Sequence, residues 1–479
     1  MDSKLRRRPL LALAAAASIV RPARADTLLN DASRLSPTPV ARHILVPPDR
    51  EATLLATLRA ELKDAAAANR PVAMGAARHS MGGQSLARGG TAFTFTPGGC
   101  GVDQAASTFR AGPGTRWKDV IATLDPVGFS PAVMQSNHDF GVASTVSVNA
   151  HGWPVPFGPF GSTVRSLRLL LADGAAITCS RTENAELFGL VTGGYGLFGI
   201  ILEVEAAMVP NRMLVPHSEL IAADAFGPRF AALCTQPGVL MGYGRLNVSR
   251  DAFLSEALMT AYSPWPTAGG ALPQATSNSV MTEPTRWLYR AQTGTDWVKR
   301  ARWFMESEAS PRWMSVNATR NALLNEPVVN LASLDSGRTD ILHEYFVAPD
   351  KFAAFLAACR EVIPRSQQEL LNITLRLVEP DPVSRLAYAP VQRIASVMSF
   401  TQHMTPAGEE DMRRMTQALV ARVLDLGGSF YLPYRLHATK DQVRRAYPAL
   451  PEVVAAKRRH DPGLLFRNAL WDAYMAELS

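Results

Sequence analysis

Two stretches of this 479-residue chain concentrate residue types that could do chemistry. The first is 75–85. Gly75, Ala76 and Ala77 let the backbone approach a ligand, and successive amides in such a loop can cradle a pyrophosphate. Arg78 can oppose phosphate charge, while Ser80, Gln84 and Ser85 add neutral donors around His79. A plain surface loop is the competing reading. The second stretch, 136–152, interleaves hydroxyls, amides and small apolar residues, including Gly141, Ser144, Thr145, Ser147, Asn149 and His151. That mixture suits close contact with a flat polar ring; a Ser/Thr-rich strand pair would also produce it. Gly194, Gly196 and Gly199 satisfy G-x-G-x-x-G, which as a dinucleotide fingerprint should follow a strand and open a helix. Here a helical pattern precedes it and a strand pattern follows, so a tight helix-to-strand turn is expected.

The elements that must position these stretches can be read from periodicity. Leu54, Leu55, Leu58 and Leu62 recur at spacing three to four, which predicts a helix within 48–69. A short strand at 71–74 leads into the first loop. Phe93 and Phe95 alternate with threonine as a strand does, 108–112 is another strand, and 117–124 is helical. Strand patterns at 167–172 and 176–179 flank Asp173 and Gly174, a hairpin signal. A helix at 183–191 and an apolar strand at 199–209 follow. Beyond Pro210, 211–265 mix strands with a helix, and 266–285 form a Gly-, Pro-, Thr- and Ser-rich loop. Residues 287–313 are helical and aromatic-rich. Strands are expected at 343–347, 371–378 and 397–401, and helices at 351–362, 409–426 and near 440–447, with a short terminal helix. This mixture argues for an α+β fold over a doubly wound parallel sheet.

Charge first points to an acidic partner. Lys and Arg number 49 against 42 Asp and Glu, a formal +7. Yet residues 1–25 have a basic start, an apolar run and a small-residue cleavage site at Ala23 and Ala25, the pattern of a secretory signal. Arg7 and Arg8 resemble a twin-arginine leader. The leader holds six basic residues and one acid, which leaves 43 against 41, a formal +2. No nucleic-acid partner and no stable membrane insertion are expected, and Lys457, Arg458 and Arg459 read as a solvated helix end. Cys100, Cys179, Cys234 and Cys359 have no zinc or redox-pair spacing, so free thiols and no metal are expected.

Taken together, the chain resembles the vanillyl-alcohol oxidase (PCMH-type) superfamily of FAD-binding oxidoreductases. It resembles the aldonolactone, alditol and decaprenylphosphoryl-ribose oxidase branches more than the bicovalent sugar-oxidase branch. The likeness is carried by loop 75–85; by Gly112, Pro113, Gly114 and Thr115 with Trp117; by 144–152, ending in Asn149, Ala150, His151 and Gly152; by Asp173 and Gly174 with 193–199; and by 457–468 around Asp461, Pro462 and Phe466. The middle, 211–425, matches weakly. The resemblance implies a two-subdomain FAD-binding domain over 26–210, an antiparallel-sheet cap over 211–425, and a segment at 426–479 returning to the FAD domain.

The same resemblance implies roles. FAD phosphates would lie on the amides of Ala76 to Ser80, with Gly199, Ile200 and Asn468 also in the cofactor site. The histidine at the position of His79 is covalently bonded to the flavin in many relatives. No cysteine falls in 141–161 for a second link, and the family's paired glycines are Ala143 and Ser144 here. Arg376 resembles an arginine that stabilises the reduced flavin, with a surface ion pair as the competing reading. The relatives' glutamate is Thr374 and a relative's histidine is Ser399; Thr401 offers a hydroxyl. Segment 431–441, with Tyr434, is the remaining catalytic candidate. One register makes Lys440 the substrate-side cation; the other puts His437 where a lysine sits. In either, His437 is a candidate general base, against a capping His and a solvated Lys. His343, Glu344 and His403 are further candidates.

These readings imply an exported FAD-dependent oxidoreductase. It would take a hydride from a CH–OH group of a small sugar-, polyol- or lactone-like substrate and pass electrons to oxygen or another acceptor. Two alternatives stay open. One is a bulkier alcohol such as a sterol or lipid-linked sugar, motivated by Trp287, Trp297, Trp303 and Trp313. The other is a periplasmic binding module without redox chemistry.

Overall fold

The leucine stripe forms the helix it implies. Helix α1 (Glu51–Ala67) buries Leu54, Leu58 and Leu62, each burial worth roughly 1.5–3 kcal/mol. Its partner is a three-stranded parallel sheet of β1 (Arg42–Val46), β2 (Val72–Gly75) and β3 (Thr91–Phe95), ordered β1-β3-β2. Phe466, far along the chain, joins this core and bridges to Val72. This computed structural model describes residues 27–266, 270–276, 289–309, 317–327 and 335–478. The segment read as a leader, Trp287 and Trp313 lie outside the described residues.

Next come β4 (Cys100–Asp103), β5 (Thr108–Ala111), α2 (Trp117–Leu124) and α3 (Val142–Val148). They are followed by β6 (Val164–Leu170), β7 (Ala176–Ser180), α4 (Ala185–Val191) and β8 (Ile200–Pro210). The strands make an antiparallel sheet ordered β7-β6-β8-β5-β4. Asp173 and Gly174 turn β6 into β7, and the G-x-G-x-x-G segment joins α4 to β8. Helix α3 corrects the strand-pair reading of 136–152. Its Thr145 hydroxyl accepts from Trp117 Nε1 and donates to Gln135, a local network that a strand would not offer.

The larger sheet uses β9 (Met213–Ala222), β10 (Met241–Leu246), β11 (Glu256–Pro264), β12 (Arg338–Val347), β13 (Glu369–Val378), β14 (Arg393–His403) and β15 (Ser429–Phe430). Its antiparallel order is β9-β11-β10-β13-β14-β12-β15, with Ala318–Thr319 outside β9. Helices α5 (Phe226–Cys234), α6 (Asp296–Phe304), α7 (Phe352–Val362) and α8 (Pro406–Asp425) accompany it. On β10, Gly242 and Gly244 admit α5: a Cβ at Gly244 would lie 2.3 Å from the Phe226 ring. The alternate residues, Tyr243 and Arg245, belong to the other face.

The chain ends in α9 (Lys440–Ala446), α10 (Leu450–His460) and α11 (Ala469–Tyr474). Of α10 the sequence reading held only the end, at Lys457, Arg458 and Arg459. Pro451 sits in the helix's first turn, where its missing N–H costs nothing. The architecture is α+β. All four cysteines are free. No described helix is long and apolar enough to cross a membrane, and no described group of three or more His, Cys, Asp or Glu could hold a metal ion.

Candidate functional site

A cavity of about 460 Å³ runs between the loops of the first two sheets and the inner face of the larger one. That volume is in the range of small-molecule and cofactor sites. One half is lined by the first loop (Gly75, Ala76, Ala77, Arg78, His79, Ser80, Gln84, Ser85), by Gly141, Ser144, Thr145 and Ser147 around α3, and by Gly199 and Ile200. The N–H groups of residues 76–80 find no protein acceptor among the described residues. Ser85 Oγ and Arg78 Nε are buried without a partner. A Cβ at Gly141 would stand 3.0 Å from that of Ala76, so two backbones pinch the cavity there. Unclaimed amides and unpartnered donors in a narrow slot suit the pyrophosphate and flat ring of FAD.

Not every loop residue is free for that task. Gln84 donates to the carbonyls of Leu432 (2.7 Å) and Tyr434 (2.9 Å) and accepts from Gly82, so its amide ties the loop to segment 431–441. Arg78 donates to the Phe93 carbonyl, and burial lowers its pKa to about 10. Ser147 donates to Ala143. The His79 ring packs against Phe140 at 4.4 Å, and burial holds its pKa below the ordinary value, with Asp139 opposing.

The other half is a lattice set by strand register. Arg245 faces Thr374, Thr374 faces Val397, and Val397 faces Glu344 across β10, β13, β14 and β12. In the neighbouring row Asn372 faces Ser399 and Ser399 faces Leu342. Arg376 is two residues beyond Thr374 on the same face. All of these line the cavity, with Trp153, Tyr243, Tyr289 and Glu326. On β13 the polar Asn372, Thr374 and Arg376 alternate with buried Ile373, Leu375 and Leu377. That period-two pattern was the available signal for the missed residue Asn372. Tyr243, between Gly242 and Gly244, and Arg245, just after Gly244, were hidden by the glycines.

Glu344 is the buried acid of this lattice. His151 Nε2 donates to its Oε1, and the Tyr434 hydroxyl donates to Oε2 at 3.1 Å. Burial raises the Tyr434 pKa well above its ordinary value, so it remains a donor. Arg376, whose guanidinium donates to Ser136 Oγ and to the His151 carbonyl, is not a surface ion pair. Its Nε is buried without a partner.

Two expected catalytic residues lie elsewhere. His437 does not line the cavity: it is buried behind it, donating to Glu409 at 2.8 Å and lying 3.2 Å from Thr416 Oγ1. Burial lowers its pKa, with Glu409 pulling the other way. Lys440 begins α9 and pairs with Glu477 on the surface. Thr401, His343 and His403 also miss the cavity. His343 is buried, its pKa lowered to about 3 by burial, and His403 meets Arg338 outside. Among the tryptophans, Trp297 is exposed and Trp303 donates to Glu256.

The cluster containing His437 is structural. Glu409 also pairs with Arg435, which in turn donates to the Met81 carbonyl and Ser36. Burial pushes the Glu409 carboxyl up, but the His437 hydrogen bond and the Arg435 charge more than offset it, holding it at about 2. A depressed carboxyl stabilises the fold above its unfolded pKa and loses that contribution as pH falls through the folded one. Glu409→Gln should therefore cost about 2–3 kcal/mol at neutral pH and flatten the decline in stability between about pH 4.5 and 2. Thermal unfolding across that range checks it; an unchanged acid slope would contradict the assignment.

Three more expectations are corrected. Asn149 is not at the cavity wall: its side chain donates to Asp381 at 2.7 Å and accepts from the Gly161 amide. Asn468 caps α11 and donates to the Tyr195 carbonyl. Lys457 is no solvated helix end but fully buried against Asp461 and the Leu197 carbonyl, and burial lowers its pKa to about 8. All three hold neighbours of the cavity in place.

Comparison with known proteins agrees with the first half of the cavity. A model of an FAD binding domain matches residues 50–180. Cytokinin dehydrogenase 7 of Oryza sativa subsp. japonica is 32% identical over 161 residues, covering 32% of this chain and 31% of that protein. Cytokinin dehydrogenase 2 of Arabidopsis thaliana is 35% identical over 128 residues, 26% of this chain and 25% of that protein. An uncharacterized oxidoreductase of the Rhodococcoides fascians fasciation locus is 31% identical over 149 residues, 31% of this chain and 34% of that protein. The chain thus matches about a third or less of the length of each. It carries an FAD-binding domain, and FAD is its cofactor.

Proposed function

We propose that the protein is an exported FAD-dependent oxidoreductase that oxidises a CH–OH group of a small sugar-, polyol- or lactone-like molecule. The observation that carries this reading is Glu344, a buried carboxylate held by His151 and Tyr434 in the same cavity as the amide cradle. Bound FAD supplies a two-electron acceptor. The chain's own groups do the rest. Each Glu344 oxygen accepts one protein hydrogen bond and keeps lone-pair capacity, so the carboxylate can take the proton of a substrate hydroxyl. His151 and Tyr434 fix its orientation. Arg376 places positive charge next to Glu344 in the cavity, where it offsets developing negative charge. Thr374, Asn372 and Ser399 offer hydrogen bonds to further hydroxyls. Oxygen or another carrier removes the electrons afterwards.

A second reading, oxidation of a CH–NH group, draws on the names of the cytokinin dehydrogenases. Their aligned segments amount to about a third of this chain. The test is anaerobic titration of the flavin-loaded protein with polyols, aldoses, hydroxylactones and an N6-substituted adenine, followed by the loss of flavin absorbance. Bleaching by hydroxylated compounds alone supports the proposal; bleaching by the adenine alone overturns it. Readmitting air to the bleached samples distinguishes oxidase from dehydrogenase.

A further inference from the structure

Arg245 stands at the far end of the lattice row from Glu344. Three strand spacings separate their backbones, about 14 Å. Its Nη1 is pinned by Asn372 Oδ1 at 2.6 Å and Thr374 Oγ1 at 3.1 Å. The Nε and Nη2 edge has no hydrogen-bond partner among the described residues, and the residue lines the cavity. This is the edge that grips a carboxylate with two parallel hydrogen bonds.

The other cations nearby are matched. Arg302, which shares Asn372 with Arg245, pairs with Glu306 at 2.8 Å. Arg290 pairs with Asp340 at 2.7 Å and Lys299 with Glu369. Among the described residues no carboxylate lies within ion-pair distance of Arg245. Glu306 and Glu326 act on Arg245 through space: burial lowers its pKa, but their charge more than offsets that, and Arg245 in turn pulls down the Glu326 carboxyl that burial pushes up. Asn372 and Thr374 hold the guanidinium like a built fixture rather than a solvated arm, and Tyr243 packs beside it at 5.9 Å.

From this arrangement we infer that Arg245 binds a carboxylate of the substrate, which makes that substrate a hydroxy acid of the sugar-acid kind. The acid group sits at Arg245 and the carbinol carbon at Glu344. This inference rests on the proposed function for its orientation, but its test is a binding measurement.

Titrate the flavin-loaded protein with D-gluconate and with D-glucitol, which differ in a carboxylate against a CH2OH, and read the shift of the flavin spectrum. Gluconate is expected to bind about tenfold or more tighter. Arg245→Gln should erase that preference by weakening gluconate alone, and Arg245→Lys should restore part of it, with flavin content unchanged in both and binding read well below the unfolding temperature of each. Equal affinities, no binding of gluconate, or a preference that survives Arg245→Gln would overturn the inference. A gluconate preference with no bleaching by either compound or by the panel above would leave Arg245 as the carboxylate site and remove the oxidoreductase reading instead.

Discussion

Glu344→Gln is expected to lower kcat by about 10²- to 10⁴-fold, the usual contribution of a positioned general base. Flavin content and thermal stability should stay near those of the unaltered protein. The physical basis is the specificity of the change. A glutamine fills the same volume between His151 and Tyr434 but cannot accept a proton. One donor loses its acceptor in the exchange. His151 can relieve that by switching tautomer, because its Nδ1 has no partner among the described residues. The fold is thereby spared and the chemistry is not. Steady-state kinetics with any substrate that bleaches the flavin measures this. Activity within a few-fold of the unaltered enzyme would place the base elsewhere.

His79→Ala should have an all-or-none effect on flavin attachment. The His79 ring lines the cavity, and no described residue hydrogen-bonds to it. Burial holds its pKa below 6.5, so at neutral pH the imidazole is uncharged and keeps an unprotonated nitrogen, the form that can act as a nucleophile. Denaturing electrophoresis of the unaltered protein should show flavin fluorescence on the protein band, and the alanine variant should show none. Flavin released from the unaltered protein on denaturation would mean that His79 only packs against Phe140 and the cofactor.

The contrast between these two residues shows where sequence was informative. The cradle is local. Its small residues, its preceding strand and its histidine are adjacent in the chain, so the pattern at 75–85 carries nearly the whole of that half. The lattice is not local. Arg245, Thr374, Val397 and Glu344 come from four strands and meet only through register, which one sequence does not state. His437 and Lys440 illustrate the same gap. Both occur in the segment that does reach the cavity through Tyr434, but the chain turns away after Tyr434: His437 enters a buried network with Glu409, and Lys440 starts a surface helix. Asn149, Asn468 and Lys457 serve as struts, because each side chain is consumed by a cap, a carbonyl or a buried partner.

In the proposed reaction a carbon–hydrogen bond next to a hydroxyl is broken beside Glu344. Its most direct test is anaerobic rapid mixing of the flavin-loaded protein with a bleaching alcohol carrying deuterium at the carbinol carbon. Flavin bleaching is expected to slow several-fold against the protiated compound, with the isotope sensitivity persisting in the much slower Glu344→Gln variant. A bleaching rate indifferent to deuterium in both proteins, with equal rates for the two, would contradict it.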